Sequence, residues 1–72
     1  MSTYDVLLAV GNGRRLDTGR RFKITVLARG PLDAAVIAEQ NTDPALGENE
    51  FSYAKRVSQL GGRPPAAMAL AA

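Results

Sequence analysis

The stretch YDVLLAVGNGRRLDTGRRFKITVLAR, Tyr4 to Arg29, decides the fold. Its first apolar run is Val6-Leu7-Leu8-Ala9-Val10. Its second is Phe22, Ile24, Val26 and Ala28, alternating with Lys23, Thr25, Leu27 and Arg29. Alternation of period two is the signature of a strand buried on one face. Two turn candidates lie between the runs, Gly11-Asn12-Gly13 and Asp17-Thr18-Gly19. A turn at the first would pair Val6–Val10 with the polar stretch around Arg14–Thr18 and leave the apolar runs unmatched. A three-residue loop at Asp17-Thr18-Gly19 matches them. Such loops join a type I turn to a left-handed residue, a conformation Gly19 adopts at no steric cost.

The expected register then sets Leu16 opposite Arg20, Arg14 opposite Phe22, Val10 opposite Val26 and Leu8 opposite Ala28. One face carries Val6, Leu8, Val10, Phe22, Ile24, Val26 and Ala28. The other carries Arg15, Arg21, Lys23 and Arg29, with Leu7, Ala9 and Leu27 among them. A slip by one residue would mix the two faces. Gly11 and Gly13 fall inside the first strand in this reading, where glycine marks a bulge or a bend. Gly-x-Gly without a strand–loop–helix context is no phosphate cradle.

Beyond the hairpin, Gly30-Pro31 ends the second strand and Pro31 suits the first turn of a helix, with Asp33 as its acidic N3 residue. The pattern predicts a helix from Pro31 to Asn41. Its apolar residues Leu32, Ala35, Val36, Ile37 and Ala38 cover more than half of its circumference, so one sheet cannot cover them all. The helix stops before Pro44. Pro44–Gly47 is expected to form a single turn. Glu50 to Gln59 reads as a third strand, with Phe51, Tyr53 and Val57 expected toward the helix and Arg56 on the basic face. Lys55 interrupts the apolar face and is expected near an edge.

The predicted fold is therefore a single α+β domain of β-β-α-β order spanning residues 1–60, followed by a Gly/Pro/Ala-rich tail over residues 61–72. A right-handed crossover sets the strand order at 2-1-3 with the helix on one face. In outline this order resembles half of a ferredoxin-like domain and the core of HicB-type antitoxins. No residue role is carried over from either.

A chain of 72 residues accommodates one small domain with a modest core. It has no cysteine, hence no disulfide and no thiolate metal site. Oligomerisation is the remaining common means of support, and a homodimer through the sheet edge or the helix is expected. No apolar run approaches the roughly 20 residues of a membrane span, so a cytoplasmic protein without a membrane partner is expected. The formal net charge of +2 hides an asymmetry. Met1–Arg29 holds Arg14, Arg15, Arg20, Arg21, Lys23 and Arg29 against Asp5 and Asp17. Gly30–Ala72 holds Lys55, Arg56 and Arg63 against Asp33, Glu39, Asp43, Glu48 and Glu50. The abundance of arginine and alanine suits a GC-rich genome such as that of an actinobacterium or its phage.

The leading functional feature is the basic face. Arg15, Arg21, Lys23, Arg29 and Arg56 form a candidate nucleic-acid or partner-binding set, since guanidinium forks fit phosphate and carboxylate oxygens. Leu7 and Leu27 form a candidate apolar contact for a dimer or a partner protein. The plainer alternative is a solvated face whose arginine stems cover those leucines. Aromatic interleaving of the kind that single-strand binders use is expected to be absent from that face.

Asp43, Glu48 and Glu50 match no calcium loop, and there is no histidine. Ser52, Ser58 and Thr18 lack a partner base. The expectation is a non-enzymatic protein with no cofactor, no metal and no small-molecule substrate. It acts on a host protein, with dimeric nucleic-acid binding as the alternative. Ala69-Leu70-Ala71-Ala72 resembles the end of the bacterial tag that marks stalled-translation products for degradation, which would imply a short-lived protein.

Overall fold

The computed structural model describes residues 1–60. The Gly/Pro/Ala-rich tail and its Ala69–Ala72 end lie outside the described residues. The element order is β1 (Ser2–Gly11), β2 (Arg21–Ala28), α1 (Pro31–Thr42), a 3-10 turn (Asp43–Ala45) and β3 (Phe51–Gln59). The strands form one sheet in the order β2-β1-β3, antiparallel at both junctions, with α1 packed on one face. This is the expected β-β-α-β arrangement. Among the described residues no helix is long and apolar enough to cross a membrane.

The core forms where the even-numbered residues of the hairpin meet the small residues of the helix. Tyr4, Val6, Leu8, Val26 and Ala28 pack with Ala34 and Ala38, and Phe22, Ile24, Ile37, Ala54 and Val57 border them. Val6, Leu8 and Val10 are fully buried, each worth about 1.5–3 kcal/mol of apolar transfer. Ala34, Ala38 and Thr42 recur at intervals of four and so share one face of α1. Their small side chains let the helix axis lie close to the sheet. Leu32 and Val36, on the opposite face, stay 84% and 51% exposed. The helix is thus apolar on a side that the sheet does not cover.

Pro31 opens α1 as expected, and the Asp33 carboxylate accepts the Arg29 amide at 3.1 Å. The far end is tied by Thr42, which is 2% exposed. Its hydroxyl donates to the Glu39 carbonyl at 2.9 Å and lies 2.6 Å from the Ser52 hydroxyl of β3.

The hairpin register departs from expectation. Leu8 lies opposite Phe22, Val6 opposite Ile24, Tyr4 opposite Val26 and Ser2 opposite Ala28. The shift is even, so every residue that lies within β1 or β2 keeps its predicted face. Its cause lies in the connection, which runs from Asn12 to Arg20 and is no tight turn. The Asn12 side chain accepts the amides of Arg14 and Arg15, both at 2.8 Å, and turns the chain out of the sheet. Thr18 brings it back, donating its amide and its hydroxyl to the Val10 carbonyl, both at 2.9 Å. Gly19, at φ +95, supplies the left-handed step before β2. The gain is that Tyr4 enters the core, 5% exposed. Gly11 is the last residue of β1 and Gly13 belongs to the loop, so neither bends the strand from within.

The facing of β3 is also corrected. Opposite the Leu7–Leu8 step, Arg56 pairs with Leu7 and Ala54 with Leu8, leaving Lys55 as an extra, unpaired residue. This bulge inverts the alternation midway along the strand. Ser52, Ala54 and Val57 therefore share the helix side, whereas Phe51 and Tyr53 fall on the side away from it.

Candidate binding face

The face of the sheet away from α1 is built from the odd-numbered residues of the hairpin and the inverted half of β3. Three cross-strand rows are defined by the register. Thr25, Asp5 and Ser58 form one, Lys23, Leu7 and Arg56 the next, and Arg21, Ala9 and Tyr53 the third. Adjacent strands lie about 4.8 Å apart, so the Lys23 and Arg56 backbones stand about 10 Å apart across Leu7. Asp5, Leu7, Lys23, Arg56 and Ser58 line a shallow concavity.

Arg20 pairs with Glu50, and Arg21 and Lys55 both reach Asp17. Lys23 and Arg56 take part in none of these pairs. In the row beside them the Asp5 carboxylate is bound by the Thr25 hydroxyl at 2.6 Å.

At the other end the Asn12–Arg20 loop folds back over the same face. The Tyr53 hydroxyl donates to the Leu16 carbonyl at 2.7 Å. The Asp17 carboxylate takes both guanidinium nitrogens of Arg21, at 2.7 and 2.9 Å, with the Lys55 ammonium 3.6 Å away. The Arg21 fork, and then the Gly19 amide, hold the Asp17 carboxyl well below the usual carboxylate range. Beneath this loop Ala9 is fully buried although it faces away from the helix. Phe51 and Tyr53 lie side by side, ring centres 6.0 Å apart, and Phe51 remains 41% exposed.

The predicted binding residues are therefore partly gathered. Arg21, Lys23, Arg56 and Leu7 share the face. Arg15 stands on the loop, with its amide bound to Asn12. Arg29 lies just past the end of β2, beside the helix start. Leu27 is 59% exposed on the same face, but the Asp5–Thr25 row separates it from Leu7, so the two leucines form no common patch. Sequence reasoning missed Phe51 and Tyr53 as members of this face, because the single extra residue at Lys55 has no compositional mark.

Glu50, one of the grouped acids, accepts the Gly47 amide at 2.7 Å and binds Arg20 at 2.9 and 3.0 Å. Those two contacts hold its carboxyl below the ordinary range. Among the described residues no group of three or more His, Cys, Asp or Glu is placed to hold a metal ion. The Ser52 and Thr18 hydroxyls are engaged with Thr42 and the Val10 carbonyl.

No protein-family model, no curated protein and no solved structure matches the chain.

Proposed function

We propose that this is a non-enzymatic binding protein that engages another protein through the open face of its sheet. The observation that carries the reading is the Lys23–Leu7–Arg56 row, where two cations that make no ion pair among the described residues flank one apolar side chain beside a shallow concavity. That chemistry suits an acidic segment carrying an apolar residue. Carboxylates meet Lys23 and Arg56, and the apolar group seats on Leu7.

A second reading, single-stranded nucleic acid, draws support from one observation. Phe51 and Tyr53 share the face with Arg21, Lys23 and Arg56, and aromatic rings beside cations are how such strands are stacked and held. Against it, Tyr53 and Arg21 are already occupied by the loop.

The test is a titration of the full chain with fluorescent peptides in which acidic residues flank a leucine, beside a labelled oligo-dT. Peptide binding that disappears in the Lys23→Glu/Arg56→Glu variant and survives Phe51→Ala supports protein recognition. Preferential oligo-dT binding, steeply salt-dependent and lost on Phe51→Ala, would replace it with the nucleic-acid reading. Binding of neither probe removes both.

A further inference from the structure

The two edges of the sheet differ in a way that selects one of them for pairing. Leu60 donates its amide to the Thr3 carbonyl at 2.8 Å, on the β3 side of β1. Thr18 donates to the Val10 carbonyl at 2.9 Å, on the β2 side. Backbone groups alternate in direction along an antiparallel strand. The even-numbered residues of β1 therefore bond to β2, and their partners Phe22, Ile24 and Val26 point inward. It follows that Arg21, Lys23, Thr25 and Leu27 turn their amides and carbonyls to the outer edge. The β2 ladder has no register shift, and the strand holds neither proline nor glycine. On the β3 edge, by contrast, the Lys55 bulge breaks the ladder and sets Lys55 beside Arg56. β2 carries cations too, so the bulge is what distinguishes the edges, and bulges are a usual device that blocks edge pairing.

We infer that the β2 edge pairs antiparallel with the β2 edge of a second copy of this chain, about a two-fold axis at Ile24, giving a continuous six-stranded sheet. The sequence of β2 picks both the partner and the register. A two-fold between residues would oppose an outward-bonding residue to an inward-bonding one, so the axis passes through a residue. Centred on Lys23, the pairing opposes lysine to lysine. Centred on Thr25, it opposes Arg21 to Arg29. Centred on Ile24, it sets Ile24 against Ile24, Phe22 against Val26, Lys23 against Thr25 and Arg21 against Leu27, with no like charges directly opposed. Phe22 and Ile24, half-buried in the single chain, gain cover on the helix side. Leu27, 59% exposed, gains the aliphatic stem of Arg21 from the second copy. Both helices then lie on one face of the wide sheet and both cationic rows on the other.

The experiment is solution mass by light scattering across a dilution series of the full chain, with a charge-swap series. The wild type shows the mass of two chains at high concentration. Thr25→Lys replaces the hydroxyl that binds Asp5 with a cation that can pair with the same carboxylate in the single chain, but opposes Lys23 of the second copy at two symmetry-related places. It weakens the dimer by about tenfold or more. Adding Lys23→Glu to that variant restores pairing. Gln59→Pro lies on the β3 edge, where its amide faces outward, and leaves the mass unchanged. As a measurement that needs no variant, the amides of Lys23 and Thr25 exchange more slowly in concentrated than in dilute protein. A single-chain mass at every concentration overturns the inference. So does a dimer indifferent to Thr25→Lys, or one lost on Gln59→Pro.

Discussion

Phe51 lies against Gly11, its partner across β3 and β1, so closely that a side chain on Gly11 would have nowhere to go. A Cβ built there meets the Phe51 ring on one side and the Leu16 carbonyl oxygen at 2.7 Å on the other. The contact joins strand, loop and aromatic pair at the end of the sheet where the chain leaves it. Gly11→Ala is therefore expected to destabilise the fold by about 1–3 kcal/mol, an overpacking cost. Gly13→Ala, with open space around it, serves as the near-neutral control in the same denaturant series.

Tyr53→Phe tests the loop's attachment alone. It removes the hydroxyl that binds the Leu16 carbonyl and leaves the ring in place. The expected loss is about 0.5–1.5 kcal/mol. Faster amide exchange should be confined to Asn12–Arg20, and an unchanged loop would mean that the hydroxyl does not hold it.

At the helix end, the buried Thr42 hydroxyl pairs with the Ser52 hydroxyl of β3. Thr42→Val strips Ser52 of its partner and should cost about 1–3 kcal/mol. Ser52→Ala leaves Thr42 its bond to the Glu39 carbonyl and should cost less. In the double variant the losses should fall short of their sum, as a thermodynamic cycle by chemical denaturation would measure.

The acid dependence of stability has a defined sign. Asp17 and Glu50 titrate lower in the folded chain than their ordinary values of 3.8 and 4.5, held by Arg21 with Gly19 and by Gly47 with Arg20. Their contribution is present above those values and is lost as pH falls below them. Thermal melts should be flat from neutrality to about pH 5 and then decline toward strong acid. Asp17→Asn should melt lower at neutral pH and decline less. The pairs are exposed, so added salt should narrow the difference between the two proteins.

Lys55 is the one strand residue whose removal leaves the ladder whole. Without it Arg56 opposite Leu7 and Ala54 opposite Leu8 become adjacent pairs in an unbroken β3. Deletion of Lys55 should leave a folded protein with native-like circular dichroism. Deletion of Tyr53 shifts Phe51 and Ser52 to the wrong sides and should unfold it.

Much of this was legible in the residues. The alternation in β2, the proline that opens α1 and the proline that follows it, and the strand pattern after Glu50 were enough for element order and strand order. Face assignment in the hairpin survived a wrong register because the error was even. The register itself was hidden in side-chain chemistry: the Asn12 carboxamide turning the chain out and the Thr18 hydroxyl recapturing Val10. A tight turn at Asp17-Thr18-Gly19 satisfied the apolar match equally well on paper, but left Tyr4 without a cross-strand neighbour. The facing of Phe51 and Tyr53 could not be read, because a bulge at Lys55 looks like any other lysine in a strand. The open face was consequently expected to carry cations and aliphatic side chains without aromatic rings, and it is partly aromatic.

The extra residue in β3 also bears on how far such sheets can grow. A strand edge that accepts a neighbour is a liability as well as a joint, since a molecule with two receptive edges can propagate into a fibre. Here one edge is smooth and the other is interrupted by Lys55 beside Arg56. A smooth edge that pairs with its own copy is used up by that act, and what it leaves outermost on both sides is the interrupted one. In the proposed pairing, assembly through the sheet has a stopping point written into a single inserted lysine.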